Sequence, residues 1–339
     1  MTWDDKRINR AFAALDPART DTREGASLRG QSALQGILST PTAPRFVTER
    51  PRRRVASWRL ARPLAAMFVL IAVLALVVPV TMMPSRAVAS TPPRLALQNA
   101  NVSLQEVVDM SISELAADSG LAMPARGSRS IGWYLDATVT ADGESSVIAP
   151  QERIVQWGED LSGKVTLVAG TPYVAGDDAD SVPAGSAAEP GTILSELSSE
   201  AGEFYVPAPE PPPSDLAGMR DFLGEFGYPM EPLRAGDVVL AVDSAFQFWT
   251  LTNAQHAAIL QLIEQAGDAE VAGTGVDRMG RAVIALKVTN PHVEGTDFLL
   301  LISSDTGRIV GIETILTKPT TKPALPAGAV VAYTLWETK

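Results

Sequence analysis

The 339-residue chain contains no cysteine and only two histidines. The first absence removes disulfides, a thiolate nucleophile and every Cys-ligated zinc or iron-sulfur centre. The second leaves too few imidazoles for a three-His metal site and two residues on which a Ser-His-Asp triad would have to be built. Aromatic residues make up 6% and charged residues 20% of the chain, against 46% hydrophobic. That average is globular, but it hides an asymmetry of charge. Residues 1–83 hold 13 Lys/Arg against 6 Asp/Glu, net +7, whereas residues 84–339 hold 15 against 33, net −18. So acidic a part repels phosphate backbones, and direct nucleic-acid binding is not expected of it.

Charge is also missing from Leu64 to Met83. About 20 such residues, at 1.5 Å rise, match a hydrocarbon layer roughly 30 Å thick. Arg45, Arg50, Arg52, Arg53, Arg54, Arg59 and Arg62 precede the run, and only Arg86 and Arg94 follow it closely, which places the N-terminus in the cytoplasm. AlaValAla at 87–89 fits a small-residue cleavage site after Ala89, but about 60 residues precede a core longer than that of a secretory signal. The expectation is an uncleaved single-pass anchor at the cell membrane. Residues 1–63 are then a basic cytoplasmic segment, 64–83 a transmembrane helix in the lipid bilayer, 84–102 a stalk and 103–339 an extracytoplasmic domain.

Ile8, Ala11, Phe12 and Leu15 lie at helical spacing before Pro17, and Ser27–Leu38 is a weaker second helix. Helices this short bury little core alone, so they are expected to fold against a partner, with Ile8, Phe12 and Leu15 docking on it. Further on, Ser103 and Glu106 form a capping box ahead of Leu104, Val107, Val108 and Leu115. Strands are expected over 131–140, 146–157 and 164–168. A Pro/Ala/Gly-rich loop follows at about 170–213, with a short helix near 191–201. Ser214–Phe226 and Asn253–Ala266 are read as helices, and 269–275, 282–289, 297–302, 308–316 and 329–336 as strands. Strands with helices gathered apart from them predict an α+β domain on an antiparallel sheet.

Motifs that carry chemistry are sparse. AspThrGly at 305–307 matches the triad of aspartic proteases, but no second copy exists for a single-chain dyad, and its place between two apolar strands reads as a hairpin turn. AspAspAlaAsp at 177–180 lacks the ligand spacing of a calcium loop. GlyThrGly at 273–275 precedes a strand rather than a helix, against dinucleotide binding. His256 after a helix cap and His292 in AsnProHis are read as exposed structural residues. Trp133, Tyr134, Trp157, Phe246, Phe248 and Trp249 are read as core and sheet-face aromatics, and Trp133, Trp157 and Trp249 are the candidates to line an apolar ligand. No catalytic residue, metal ligand or cofactor is assigned.

Several segments resemble an actinobacterial family of single-pass membrane proteins: ThrAsnAlaGlnHisAlaAlaIleLeuGlnLeuIle, GlyArgAlaValIleAlaLeu, LeuLeuIleSerSerAspThrGlyArgIleValGly and AlaValValAlaTyrThrLeuTrp, all within residues 250–339. Members often neighbour sigma-factor genes, and the exterior domain is similar in outline to the half-barrels of lipoprotein carriers and of the periplasmic sigma-E regulator. The resemblance implies a non-enzymatic, anti-sigma-like regulator whose exterior domain senses a ligand and whose short segment holds a sigma factor. An anchored carrier or scaffold with a passive tail is the alternative. Zinc-binding anti-sigma domains use a His and two Cys, and residues 1–63 contain neither, so any grip on a sigma factor here is zinc-free.

Overall fold

Three aliphatic runs build the centre of the fold: AlaValIleAlaLeuLysValThr, ThrAspPheLeuLeuLeuIleSer and IleValGlyIleGluThrIleLeu. Each is nearly continuous and bounded by turn residues, the pattern of a strand buried on both faces. The structure is a computed structural model and describes residues 91–135, 147–174, 182, 185–321 and 324–337. Its elements in chain order are α1 (Leu104–Ala117), β1 (Ala125–Tyr134), β2 (Val147–Ile148), β3 (Gln151–Trp157), β4 (Gly163–Ala169), β5 (Tyr173–Val174), β6 (Ile193–Ser199), α2 (Leu216–Gly224), α3 (Ala235–Ala245), β7 (Trp249–Thr250), α4 (Asn253–Ala266), β8 (Ala269–Val276), β9 (Ala282–Thr289), β10 (Thr296–Ser303), β11 (Ile309–Leu316), β12 (Thr320–Thr321), β13 (Ala324–Leu325) and β14 (Val330–Trp336).

Ten strands form one sheet in the order β6-β4-β3-β1-β14-β11-β10-β9-β8, with β7 added to β1. Every pairing is antiparallel, and the two halves of the chain meet where Trp133 of β1 faces Tyr333 of β14. Pairing partners share a face, so Trp133, Tyr333, Glu313, Leu299 and Lys287 make one row across five strands. Side chains of the opposite parity, such as Phe298, Leu300, Ile302 and Leu286, are buried on the other face, against which α1, α3 and α4 pack. That helix face holds the fully buried Leu260, Leu262 and Ile263 of α4 and Val107 and Val108 of α1.

Local signals set the helix ends. Ser103 Oγ accepts from Glu106 N (3.2 Å), while Ser103 N donates to the Glu106 carboxylate (2.7 Å), and Thr252 with Gln255 repeats this reciprocal cap on α4. Each side-chain cap satisfies an otherwise orphaned amide, an effect of about 1 kcal/mol. Gly267 closes α4 in the left-handed conformation, φ 72°.

Several expectations are corrected. The single-pass architecture is not supported: among the described residues no helix is long and apolar enough to cross a membrane. The longest described helices have 14 residues, about 21 Å at 1.5 Å each, short of a ~30 Å hydrocarbon layer. The described residues form a sheet-rich fold, a ten-stranded antiparallel sheet with two short two-stranded sheets and four helices. The membrane localisation, with a cytoplasmic N-terminus and an extracytoplasmic domain, falls with the transmembrane helix, whose residues 64–83 lie outside the described residues. So do residues 1–63, with their two expected helices. The short helix near 191–201 is instead β6, paired along β4; pairing overrides the weak helical spacing of Ile193 and Leu197. Helix α3 was not anticipated. Eight of its eleven residues are buried, and a helix enclosed on all sides shows no amphipathic period.

Candidate functional site

The face of the sheet opposite the helices carries an apolar cluster of Trp133, Ile148, Val283, Ala285, Leu299, Leu301, Val310, Tyr333 and Leu335. It is closed by extended chain. Residues 91–99 form a strap that turns around the β8 edge: Gln98 N donates to Thr274 O (2.7 Å) and Thr274 N donates to Gln98 O (2.9 Å). From there Leu97 and Leu95 pack on the apolar cluster. The Pro93 carbonyl accepts from Arg278 Nη2 at 2.8 Å, and Arg94 Nε donates to Gly328 O.

Beneath the strap lies an ion pair. Glu313, in the row between Tyr333 and Leu299, is 0% exposed, and Arg278 from the β8–β9 turn grips both its oxygens, Nε to Oε1 at 2.8 Å and Nη2 to Oε2 at 3.0 Å. The guanidinium sits 4.8 Å over the Tyr333 ring. Burial raises the Glu313 carboxyl above its ordinary value, opposed by the Arg278 charge. Burial likewise pushes up the Tyr333 and Tyr173 phenols. A carboxylate removed from water and paired once with a bidentate arginine gives the face a fixed polar anchor within an apolar surround.

Three glycines shape the seat of the strap. A Cβ on Gly273 (φ +140°) would collide with the Gln98 carbonyl, and one on Gly275 would stand 2.9 Å from the Ala96 carbonyl. A Cβ on Gly328 (φ +80°) would occupy the position of the Arg94 guanidinium. GlyThrGly is therefore where a second backbone approaches β8, the usual meaning of glycine inside a strand.

The sequence-derived candidates fall elsewhere or apart. Trp157 and Trp249 meet edge to face at 4.9 Å on the helix face. Their indole N–H groups donate to Phe248 O (2.7 Å) and Ala208 O (3.0 Å), and Arg126 lies over both rings at 5.3 and 5.5 Å. Both are buried core residues. Trp133 is on the strap face, beside Tyr333 at 6.4 Å, so the three tryptophans do not converge on one ligand. Ile8, Phe12, Leu15 and the acidic run 177–180 lie outside the described residues.

The two histidines differ. His256 is buried rather than exposed, because α4 turns it inward. Its Nδ1 accepts from Ile309 N at 3.3 Å, and burial, helped by the nearby Arg308 charge, lowers its pKa to about 3. His292 is 45% exposed, with Nε2 2.6 Å from Oδ1 of the fully buried Asp237. Asp305 lies in the β10–β11 turn, where its amide donates to Ser303 Oγ at 3.3 Å. Among the described residues no three His, Asp or Glu side chains gather as a metal site.

Sequence reading missed Arg278 and Glu313. The available signal was a single acid inside the aliphatic run IleValGlyIleGluThrIleLeu, since a charge at a buried strand position requires a partner. No protein-family model and no curated protein matches the chain.

Proposed function

We propose that this chain is a regulatory binding protein. Its sheet domain receives a partner at the strap face, and its basic N-terminal segment holds a second protein, of the sigma-factor class that the resemblance implies. The observation that carries this reading is the strap. Residues 91–99 continue directly from the N-terminal segment and are fastened across the β8 edge by Gln98 and over the buried ion pair by Pro93. Seating or unseating the strap therefore changes the length and freedom of the chain that leads to residues 1–90, a physical route from one binding event to the other. The apolar stripe Ile8, Phe12 and Leu15 is the proposed grip on the held protein.

The test is co-precipitation of the full-length chain with its sigma factor. Ile8→Asp combined with Phe12→Asp is expected to reduce retention at least tenfold, about 1.4 kcal/mol or more; unchanged retention overturns the reading. Deletion of residues 1–40 with no change in any transcript would point instead to a carrier or scaffold domain with a passive tail.

A further inference from the structure

The strap is bound as a ligand would be. An extended segment adds to a sheet edge through its backbone and presents alternate side chains to one surface, the arrangement of peptide recognition by strand addition. Leu95 and Leu97, two residues apart, both reach the apolar cluster, Gln98 supplies the backbone pair to Thr274, and Arg94 fills the space left open at Gly328. The seat is specific in shape as well as in polarity. Gly273, Gly275 and Gly328 each lack the one carbon that would block it, and the Arg278 guanidinium offers a donor to a main-chain carbonyl of the occupant. A segment whose only task was to connect would not require three glycines and a buried ion pair beneath it.

We propose that the strap is the resident occupant of a peptide site, and that the partner admitted by exchange is an extended polypeptide segment carrying an arginine followed by leucines at the next and third positions. This deepens the regulatory reading and rests on it, since it names the class of partner that would release the strap. The outgoing strap leaves the Thr274 N–H and C=O, the Leu-binding surface and the Arg278 donor to the incoming chain. Because the strap is tethered by the short stretch between Gln98 and the α1 cap at Ser103, it competes at an effective concentration on the order of millimolar. A free segment of identical sequence, if its intrinsic dissociation constant lies below that value, displaces it by half at about that concentration.

The absence of native cysteine makes the test clean. In the full-length chain, Gln98→Cys with Thr274→Cys places two thiols on directly facing residues and is expected to close an internal disulfide. Thr274→Cys alone is then offered a synthetic peptide of residues 91–99 with cysteine in place of Gln98, that cysteine carried as its 2-thiopyridyl disulfide, so that the Thr274→Cys thiolate attacks the peptide sulfur and pyridine-2-thione leaves. A mixed disulfide half-maximal near 1 mM is expected, absent from the internally locked chain, restored when the lock is reduced and the reductant removed before the peptide is added, and lost when both leucines of the peptide are aspartate. A disulfide-linked dimer of the double variant is the same exchange with a second copy as donor and supports the proposal. Failure of the internal lock to close, or closure without any mixed disulfide at several times that peptide concentration, overturns it. Neither result touches residues 1–40, so failure here is distinguishable from failure of the co-precipitation.

Discussion

Three helices, α1, α3 and α4, close one face of the sheet largely with aliphatic side chains such as Leu260 and Ile263, both 0% exposed, among which His256 and Asp237 are also buried. Residues 91–99, with Ile148 and Tyr173 of the β2–β5 pair, close the other and leave Arg278 and Glu313 beneath them. The polar groups of the helix face are held by single elements, as where His256 accepts from Ile309 N. The strap face keeps a charged pair, which hydrophobic residues of like volume would replace with little loss or with a gain in stability. The difference between the two faces therefore lies in their covers, packed helices on one side and extended chain on the other.

Acid breaks the comparison most sharply, because the two faces respond to it with opposite sign. His256, on the helix side, is held at about 3, below the ordinary imidazole value of 6.5. Its contribution to stability is therefore complete above pH 6.5 and is lost as pH falls toward 3, by on the order of 5 kcal/mol. Glu313 is held above its ordinary value of 4.5, so the folded chain binds that proton more readily, and its contribution rises as pH falls toward 4.5. Urea melts of the unsubstituted chain and of His256→Gln should show a loss between pH 6.5 and 3 that the variant largely lacks.

Next in size is Arg278→Met, expected to cost about 3 kcal/mol by leaving Glu313 buried without its partner. Combining it with Glu313→Leu should restore most of that loss. A double-mutant cycle by denaturant titration checks it; a double variant as unstable as the single would mean that the pair organises the strap face rather than merely tolerating burial.

The smallest change is aimed at the cover itself. Gly275→Ala brings a methyl to 2.9 Å from the Ala96 carbonyl and is expected to unseat the strap locally, speeding amide exchange at Thr274 by about tenfold while the helix face keeps its protection. Equal acceleration at Leu260 would show that the two faces open together.

What was legible in the sequence follows the range of each signal. The caps at Ser103 and Thr252 are written within four residues and were readable, as were the aliphatic runs of β9, β10 and β11. Helix α3 was hidden because burial on all sides erases the period that marks an amphipathic helix. β6 was misread because IleLeuSerGluLeuSerSer has helical spacing, and only its pairing with β4 makes it a strand. The ion pair joins residues 35 apart in sequence, and the strap joins Arg94 to Gly328 across 234; no local pattern specifies contacts of that span. GlyThrGly did carry local information, the close approach of a backbone, but not which one. The tryptophans were conspicuous by type, and two of the three are structural because they pack edge to face and spend their indole N–H groups on main-chain carbonyls.

That separation of 234 residues also sets an order in time. On a ribosome adding about 5–20 residues per second, Arg94 emerges roughly 10–50 s before Gly328 exists to receive it. The centre of the sheet must wait as long, since β1 has no β14 to pair with until the chain is almost finished. During that interval the strap has no seat, and the apolar surface that Leu95 and Leu97 will cover does not yet exist.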